Sequence, residues 1–243
     1  MTLSLFEINP ALDRAALRAK FLEHGRVQVR DFLKPEAAQT IRGVLERETP
    51  WGLACQAGEE PHTTLRPEQI QAMRPEERQA LAQKIYGAAA RGEYAVRFAN
   101  YPMLEAYLQG WDRNGPLALL LEHINDAPFL QLARDICGIP ELRKADAQAT
   151  LFAPGDFLGP HTDSHVAEGW RVAYVMNFAQ ADWHPDWGGY LHFLDEDGDV
   201  VEGWRPRFNA LNLLRVPQSH MVSYVAPFAP ARRLAITGWL RDR

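Results

Sequence analysis

The sequence predicts an α+β fold: a double-stranded β-helix, or jelly-roll, core with a mostly helical N-terminal half packed on one sheet. The chain changes character near residue 145, from helical patterns to short β-rich segments. Turn-forming residues separate those segments at regular intervals, as in sandwiches and jelly rolls. We therefore expect a helical support region, residues 1–145, and a jelly-roll core, residues 146–243, joined as one integrated domain.

Helical signals dominate the first region. Residues 11–24 place Leu17 and Phe21 four apart on one face, and Lys34-Pro35-Glu36 has the proline and the acid of a helix first turn. Residues 27–32 predict a short strand. The stretch around residues 94–111 is assigned to the helical half. Further helices are predicted at 67–91, divided near Pro75, at 117–124 and at 129–137.

The second region is rich in β-forming residues. Clusters of Gly, Pro, Asp and Asn at 154–156, 186–189 and 195–199 mark turns between the segments. The predicted strands are 148–153, 157–163, 171–178, 189–194, 198–203, 209–215, 219–225 and 233–240.

Composition excludes several classes of protein. Lys and Arg number 26 against 31 Asp and Glu, a net charge of -5, which argues against a nucleic-acid-binding surface. Cys55 and Cys137 form no CxxC pair, so we expect two reduced thiols. The N-terminus lacks the features of a signal peptide, and no run approaches the roughly 18 apolar residues of a membrane span. These features predict a cytoplasmic protein without a membrane partner.

The sequence His161-Thr-Asp163 carries the first chemical signal. Residues two apart on a strand share a face, so the two side chains project together. With the distant His220 they would form the 2-His-1-carboxylate set that suits non-haem Fe(II). The tripeptide alone also fits a strand end with a capping Asp. His165 would extend the cluster towards a zinc site, but we expect the strand to end before it.

Arg233 carries the second signal. It begins a predicted strand 13 residues after His220. An antiparallel pair of the two strands would bring both residues to the same opening of the jelly roll. A buried guanidinium there suits a carboxylate, which it binds through two parallel hydrogen bonds. Thr237 lies on the same strand face and would add a donor, whereas the neighbouring Arg232 points the opposite way.

Together these motifs resemble the Fe(II)/2-oxoglutarate-dependent dioxygenases, and among them the prolyl hydroxylases that act on ribosomal proteins. The resemblance covers about residues 148–241, through 159–163, 171–178, 187–191, 220–222 and 233–239. It implies Fe(II) held by His161, Asp163 and His220, and 2-oxoglutarate held by Arg233. It further implies O2 as co-substrate, ascorbate as a reductant, release of succinate and CO2, and hydroxylation of a prolyl residue in a peptide or protein.

One position departs from the family pattern. Family members often have a tyrosine about nine residues before the first histidine, in contact with the co-substrate, where this chain has Phe152. Either Phe152 packs against 2-oxoglutarate without a hydroxyl, or Tyr174 or Thr237 supplies the missing donor. Asn177 is a further residue that would face the site, with a cross-strand hydrogen bond as its alternative.

Two other functions stay open at this point. One is hydroxylation of a free amino acid or another small metabolite, which needs a second charged anchor such as Arg97 or Arg171. The other is a non-enzymatic jelly-roll protein that binds metal. A groove lined by aromatic side chains would suit a proline-containing segment instead. The aromatic candidates are Tyr94, Phe98, Tyr101, Trp111, Trp183 and Trp187.

Overall fold

The strands form one antiparallel sheet that curls into a nearly closed barrel, which confirms the jelly-roll core. The computed structural model describes residues 5–163 and 166–243. Along the main path of the sheet the strand order is β1-β11-β8-β13-β6-β4-β7-β12-β9-β10. The strands are β1 Arg26–Arg30, β2 Gly52–Ala57, β3 Thr63–Leu65, β4 Ala95–Tyr101, β5 Lys144–Ala145, β6 Gln148–Phe152, β7 Phe157–His161, β8 Trp170–Asn177, β9 Leu191–Leu194, β10 Val200–Trp204, β11 Ala210–Arg215, β12 His220–Val222 and β13 Arg233–Arg241.

Helices cover one side of this sheet. The first begins at a side-chain cap, since Asp13 accepts a hydrogen bond from the Ala16 amide, and ends at Gly25 in the left-handed conformation. The helices are α1 Arg14–His24, α2 Pro35–Arg47, α3 Pro67–Ala72, α4 Pro75–Ala90, α5 Met103–Gln109, α6 Pro116–Ile124 and α7 Ala127–Cys137. Short 3-10 helices span Val166–Glu168 and Pro185–Trp187.

Strand β13 shows how the sheet separates the packed core from the barrel interior. Leu234, Ile236 and Leu240 are buried in the large apolar cluster that includes the helices. Arg233 and Thr237, in the opposite phase, line the interior cavity. Because successive side chains of a strand point to opposite faces, one strand serves both the core and the site. Each large apolar side chain buried this way contributes roughly 1.5–3 kcal/mol.

The N-terminal half also supplies strands to the barrel, which the sequence did not predict beyond β1. Residues 95–101, assigned to the helical half, form β4 between β6 and β7, with Ala99 opposite Leu151 and Val96 opposite Leu158. The helical half therefore contains strands of the barrel as well as helices. Alanines favour helices locally, but β4 is held by its pairing with β2, β6 and β7, which are distant in the sequence.

The division near residue 145 is therefore a change in secondary structure within one continuous sheet. We propose that residues 1–145 and 146–243 form a single folding unit, because β1 and β4 pair directly with strands of the second region. None of the helices in the described part of the chain combines the length and the apolar character that a membrane span requires.

Candidate active site

Pairing of β7 with β12 brings the two predicted histidines together. His161 lies directly opposite His220 in the register, and their ring centroids are 4.2 Å apart. Asp163 follows β7, with one carboxylate oxygen 3.7 Å from His161 Nε2 and the other 3.5 Å from His220 Nε2. One ligand atom from each of the three residues lies within 4.8 Å of the others, so the set could hold a metal ion.

Backbone carbonyls determine the tautomer of both imidazoles. His161 Nδ1 lies 3.0 Å from the Gly159 oxygen, and His220 Nδ1 lies 2.7 Å from the Gln218 oxygen. A carbonyl oxygen only accepts hydrogen bonds, so each Nδ1 must carry a proton. In the neutral tautomer that this hydrogen bond selects, Nε2 carries the lone pair and faces Asp163, as in a histidine that binds a metal.

Electrostatics favour the neutral form of His220. Burial, and then the neighbouring His161, lower its pKa, against the opposing effect of Asp163. The donor set of two imidazoles and one carboxylate on one face of an ion fits non-haem Fe(II), with three positions left for other ligands.

Arg233 is a buried cation with an unused donor. Its exposed fraction is 2%, and Nε has no hydrogen-bond partner within residues 5–163 and 166–243. Burial lowers the pKa of Arg233 to about 10, so the guanidinium is still protonated at neutral pH. Burial of a charge without a counterion destabilises the folded protein by roughly several kcal/mol. This arrangement fits an anionic ligand that supplies the missing acceptor.

One cavity of about 660 Å³ contains both features. His161, Asp163, His220 and Arg233 all line it. The predicted Thr237 lines the same cavity, in phase with Arg233. A carboxylate ligand of Arg233 would therefore share one cavity with the metal-binding residues.

Phe152 also lies in this cavity, where it packs without a polar contact. Its ring stacks on Phe98 at 4.8 Å between centroids, and the Arg233 guanidinium carbon lies 5.1 Å from its centroid. The ring thus forms an apolar wall beside the cation.

Tyr174 does not offer the free hydroxyl that the sequence suggested. The residue touches the cavity, but its hydroxyl donates to the Asp146 carbonyl at 2.6 Å, and its ring packs against Phe129 in the helical core. Its register partner is Gly238, so it lies one position out of phase with Thr237. The Tyr174 hydroxyl is therefore already used in a hydrogen bond within the protein, which leaves Thr237 as the alternative donor in the cavity.

Asn177, unlike Tyr174, is absent from the described cavity lining. It lies opposite Ala235, and its amide donates to the carbonyls of Val175 and Ala210, both at 3.3 Å. The alternative of a cross-strand hydrogen bond, rather than a place in the site, is what the structure shows.

The other candidates divide between two cavities and the periphery. Tyr94 and Phe98 line the first cavity, whereas Tyr101 and Trp111 line a second one. Trp183 and Trp187 contact each other in a separate small apolar cluster, and neither is among the described lining residues. Arg97 pairs with Asp156 and Arg171 with Asp242, and His165 lies outside the described residues.

Sequence analysis did not assign Trp239 to the site. Trp239 lines the cavity and stacks on Trp170 at 4.0 Å between ring centroids. It follows Arg233 and Thr237 in the same strand phase. Extending that phase by two residues would have found it.

Comparison with known proteins agrees with this geometry. Residues 147–241 match the family model of the 2OG-Fe(II) oxygenase superfamily. No curated protein matches the sequence. Among solved structures, an oxidoreductase of the 2OG-Fe(II) oxygenase family from Burkholderia pseudomallei is similar, with 13% identity, a TM-score of 0.61 and coverage of 98% of this chain and 94% of that chain.

Two prolyl hydroxylases share the fold. A prolyl-4-hydroxylase from Pseudomonas putida is 18% identical, with a TM-score of 0.57 over 94% of this chain and 98% of that chain. A prolyl hydroxylase from Trichoplax adhaerens, in complex with a hypoxia inducible factor peptide fragment, is 15% identical, with a TM-score of 0.59 over 94% and 89%. At these identities the likeness concerns the fold.

The family match over residues 147–241 agrees with the fold and with the His-Asp-His set. Residues 147–241 carry the 2OG-Fe(II) oxygenase domain, which confirms the resemblance inferred from the motifs. The family implies Fe(II) and 2-oxoglutarate as its metal and co-substrate, and within the fold the similar structures include prolyl hydroxylases.

Proposed function

We propose that this protein hydroxylates a prolyl residue in a peptide or protein and releases succinate and CO2. One observation carries the proposal: a convergent His-Asp-His set shares a cavity with a buried arginine that has an unused donor. The bound iron and 2-oxoglutarate would supply the oxidative chemistry, with O2 as oxidant and ascorbate as a reductant.

Each protein group has a defined part in this proposal. His161, Asp163 and His220 hold the iron through Nε2, a carboxylate oxygen and Nε2, and the two backbone carbonyls keep both imidazoles oriented. Arg233 binds the far carboxylate of 2-oxoglutarate, and Thr237 gives it a second donor. Phe152 covers this end with an apolar ring, which keeps water from the charge pair.

The shape of the cavity supports a polypeptide substrate. Its volume of about 660 Å³ leaves room beyond a five-carbon co-substrate, and Tyr94 and Phe98 form part of its wall. Aromatic walls are suited to prolyl rings and extended chains. The Trichoplax adhaerens structure contains a peptide, and the shared fold makes the same class of substrate a natural choice here.

Hydroxylation of a free amino acid is less well supported. A small charged substrate needs a second cationic anchor, and the described residues that line the cavity include no lysine or arginine besides Arg233. Arg97 and Arg171, the two candidates, are paired with Asp156 and Asp242 outside the cavity lining.

Reconstitution under anaerobic conditions tests the proposal. Purified protein is loaded with Fe(II) and 2-oxoglutarate, and oxygen is admitted with proline-containing peptides or with free proline and other amino acids, each with and without ascorbate. We expect a mass gain of one oxygen on prolyl peptides and equal amounts of succinate. Oxidation of free amino acids alone would replace the peptide hypothesis with the small-molecule one.

A further inference from the structure

Gln148 is an amide side chain in the wall of the proposed active-site cavity, and the fold leaves its N–H groups unused. The residue is partly buried at the start of β6 and lines the cavity. Its Nε2 donates to no other atom within residues 5–163 and 166–243. By contrast, Gln56, the other glutamine of the described lining, donates through Nε2 to the Gly58 carbonyl at 3.1 Å. Gln148 therefore offers the cavity a donor that has no structural use.

Asn100 determines the orientation of this amide. It is buried, lies opposite Thr150 in the pairing of β4 with β6, and donates through Nδ2 to Oε1 of Gln148 at 3.3 Å. The oxygen and the nitrogen of a carboxamide point in different directions from the same carbon, so Nε2 is turned away from Asn100. Both N–H groups of Gln148 are therefore available to a molecule in the cavity.

Gln148 lies between the Arg233 end of the cavity and its opening. Phe152, four residues along β6, is the residue opposite Arg233 in the register. Beyond Gln148 the wall continues onto α5, because the Leu104 amide donates to the Ala147 carbonyl at 3.2 Å. Glu105 of α5 lines the cavity and has a half-exposed side chain, so this end is open to solvent. A substrate that enters here passes Gln148.

The charges at this end favour a neutral acceptor for the Gln148 donor. The two acidic side chains nearby are paired, Glu105 with Arg66 and Asp146 with Arg241. A carboxylate bound at Gln148 would lie near both acids without a cation of its own, which disfavours its desolvation. The carbonyl oxygen of an amide carries no charge and needs only an N–H donor.

Resting on the peptide hydroxylation proposed above, we propose that Gln148 determines specificity by donating through Nε2 to a backbone carbonyl oxygen of the peptide substrate. The bond holds the peptide chain near the opening while the prolyl ring enters towards the metal-binding residues. A free amino acid has no amide carbonyl to accept it. Gln148 thus favours acylated proline over free proline.

Two substitutions separate this role from a structural one. Gln148→Met keeps the length of the side chain and removes the amide. Gln148→Glu keeps an oxygen that accepts from Asn100 but has no N–H to give to a substrate. The control is Gln79→Met, the same change at an exposed position of α4. For each iron-loaded variant, kcat and KM are measured for a proline-containing peptide, and KM for 2-oxoglutarate.

We expect Gln148→Met to raise the peptide KM about five- to tenfold with little change in kcat, as loss of one neutral hydrogen bond common to the ground and transition states does. Gln148→Glu should raise it at least as much, because its carboxylate repels a carbonyl oxygen. Gln79→Met should match the wild type. An unchanged peptide KM, recovery in Gln148→Glu, or a rise in the 2-oxoglutarate KM instead would overturn the inference.

A binding measurement separates this inference from the proposed activity. Protein labelled with ¹⁵N is loaded with 2-oxoglutarate and with Zn(II), which supports no turnover. The side-chain amide signals of Gln148, assigned by their loss in Gln148→Met, are followed by NMR during titration with N-acetyl-proline methylamide or with free proline. A shift with the first ligand alone supports the inference even if no peptide is hydroxylated. Absence of that shift overturns it, even if peptides are hydroxylated.

Discussion

At the scale of single residues, two backbone carbonyls set the state of the metal-binding cluster. The Gly159 and Gln218 oxygens each accept a hydrogen bond from Nδ1 of one histidine, so Nε2 of each ring faces Asp163. The cluster is therefore organised for a metal by the strands themselves.

Removal of one ligand should abolish tight metal binding. We expect His161→Ala or Asp163→Ala to weaken Mn(II) binding by at least about a hundredfold, because even residues that only orient a ligand are worth 10–100-fold. Calorimetric titration under anaerobic conditions measures this for Mn(II) and Fe(II). His184→Ala, an exposed histidine outside the cluster, should bind as the wild type does. Unchanged affinity in either ligand variant would refute the assignment.

Loss of the buried guanidinium should act on 2-oxoglutarate and spare the metal. Arg233→Ala should weaken 2-oxoglutarate binding by roughly 2–5 kcal/mol, the cost of removing one partner of a buried charge pair. Arg233→Lys keeps the charge but loses the two-pronged geometry, so it should restore only part of the affinity. Titration of the Mn(II)-loaded protein with 2-oxoglutarate separates the two effects.

Arg232→Ala is the matched control for this experiment. Arg232 is exposed and adjacent to Arg233 in the chain, so its removal changes the same net charge without touching the cavity. If Arg232→Ala impaired 2-oxoglutarate binding and Arg233→Ala did not, the role assigned to Arg233 would be wrong.

Asp156, in the turn between β6 and β7, should make stability depend on pH. Burial raises its pKa from 3.8 to about 6, although Arg97 pairs with it. Between these two pKa values the carboxyl is ionised in the unfolded state and protonated in the folded state, so the free energy of unfolding falls as pH rises. The fall in stability is complete above about pH 6 and amounts to about 3 kcal/mol.

Urea unfolding of the metal-free protein from pH 4 to 7 measures this effect. Relative to Asp156→Asn, the wild type should lose stability across the window, and the exposed control Asp197→Asn should follow the wild type. Parallel curves for wild type and Asp156→Asn would show that this carboxyl does not titrate there.

Strand phase was predictable at this scale, but the register between strands was not. Arg233 with Thr237 follows from the alternation within β13. The two-residue spacing also anticipated that His161 and Asp163 converge, although β7 ends at His161. The pairing of Tyr174 with Gly238, and the hydrogen bond of its hydroxyl to the Asp146 carbonyl, depend on strands distant in the sequence. No local rule could have shown that this hydroxyl is already used within the protein.

At the scale of elements, the approach of β13 to the Asp146 backbone depends on a glycine. A Cβ at position 238 would lie 2.1 Å from the Asp146 oxygen, the same oxygen that accepts the Tyr174 hydroxyl. The nearest atoms are the backbone oxygen and carbon of Asp146, which cannot move aside as a flexible side chain could. The glycine therefore permits both the strand packing and the tyrosine hydrogen bond.

Gly238→Ala should destabilise the protein by at least roughly 1–3 kcal/mol, the usual cost of overpacking. Gly87→Ala is the control, because Gly87 lies inside α4 and its added Cβ would meet only the end of the Arg91 side chain, at 3.4 Å. That change should stabilise by about 0.5–1 kcal/mol through helix propensity. Urea unfolding checks both signs, and equal stability of the two variants would contradict the packing argument.

The elements of the second region were predictable because their signals are local. All eight predicted strands occur, and turn residues mark their ends. The strand predicted at 219–225 is shorter, at His220–Val222, because its pairing shifts register beside β7. By contrast, β4 is stabilised by distant partners, and its alanines favour helix in isolation.

At the scale of the whole molecule, the two regions depend on each other through the sheet. Strand β4 joins β6 to β7, and β1 covers the edge of β11. Residues 146–243 alone would therefore expose β-strand edges and one face of the core to water.

We expect residues 146–243, expressed alone, to lack a cooperative unfolding transition and to give poorly dispersed NMR spectra. The full chain, with both β1 and β4, should unfold in one transition, because its sheet is continuous. A folded fragment with the same iron affinity as the full chain would show that the two regions are independent domains.

The position of β13 also has a consequence for the order in which the chain is made. Of the thirteen strands in the described residues, β13 is the last to be synthesised, yet it lies in the interior of the sheet between β8 and β6. Until β13 emerges from the ribosome, β8 and β6 have unpaired edges that can pair with strands of other nascent chains. Slow translation or premature termination before residue 233 would prolong this exposed state, and chaperone demand during biosynthesis should be greatest at that stage.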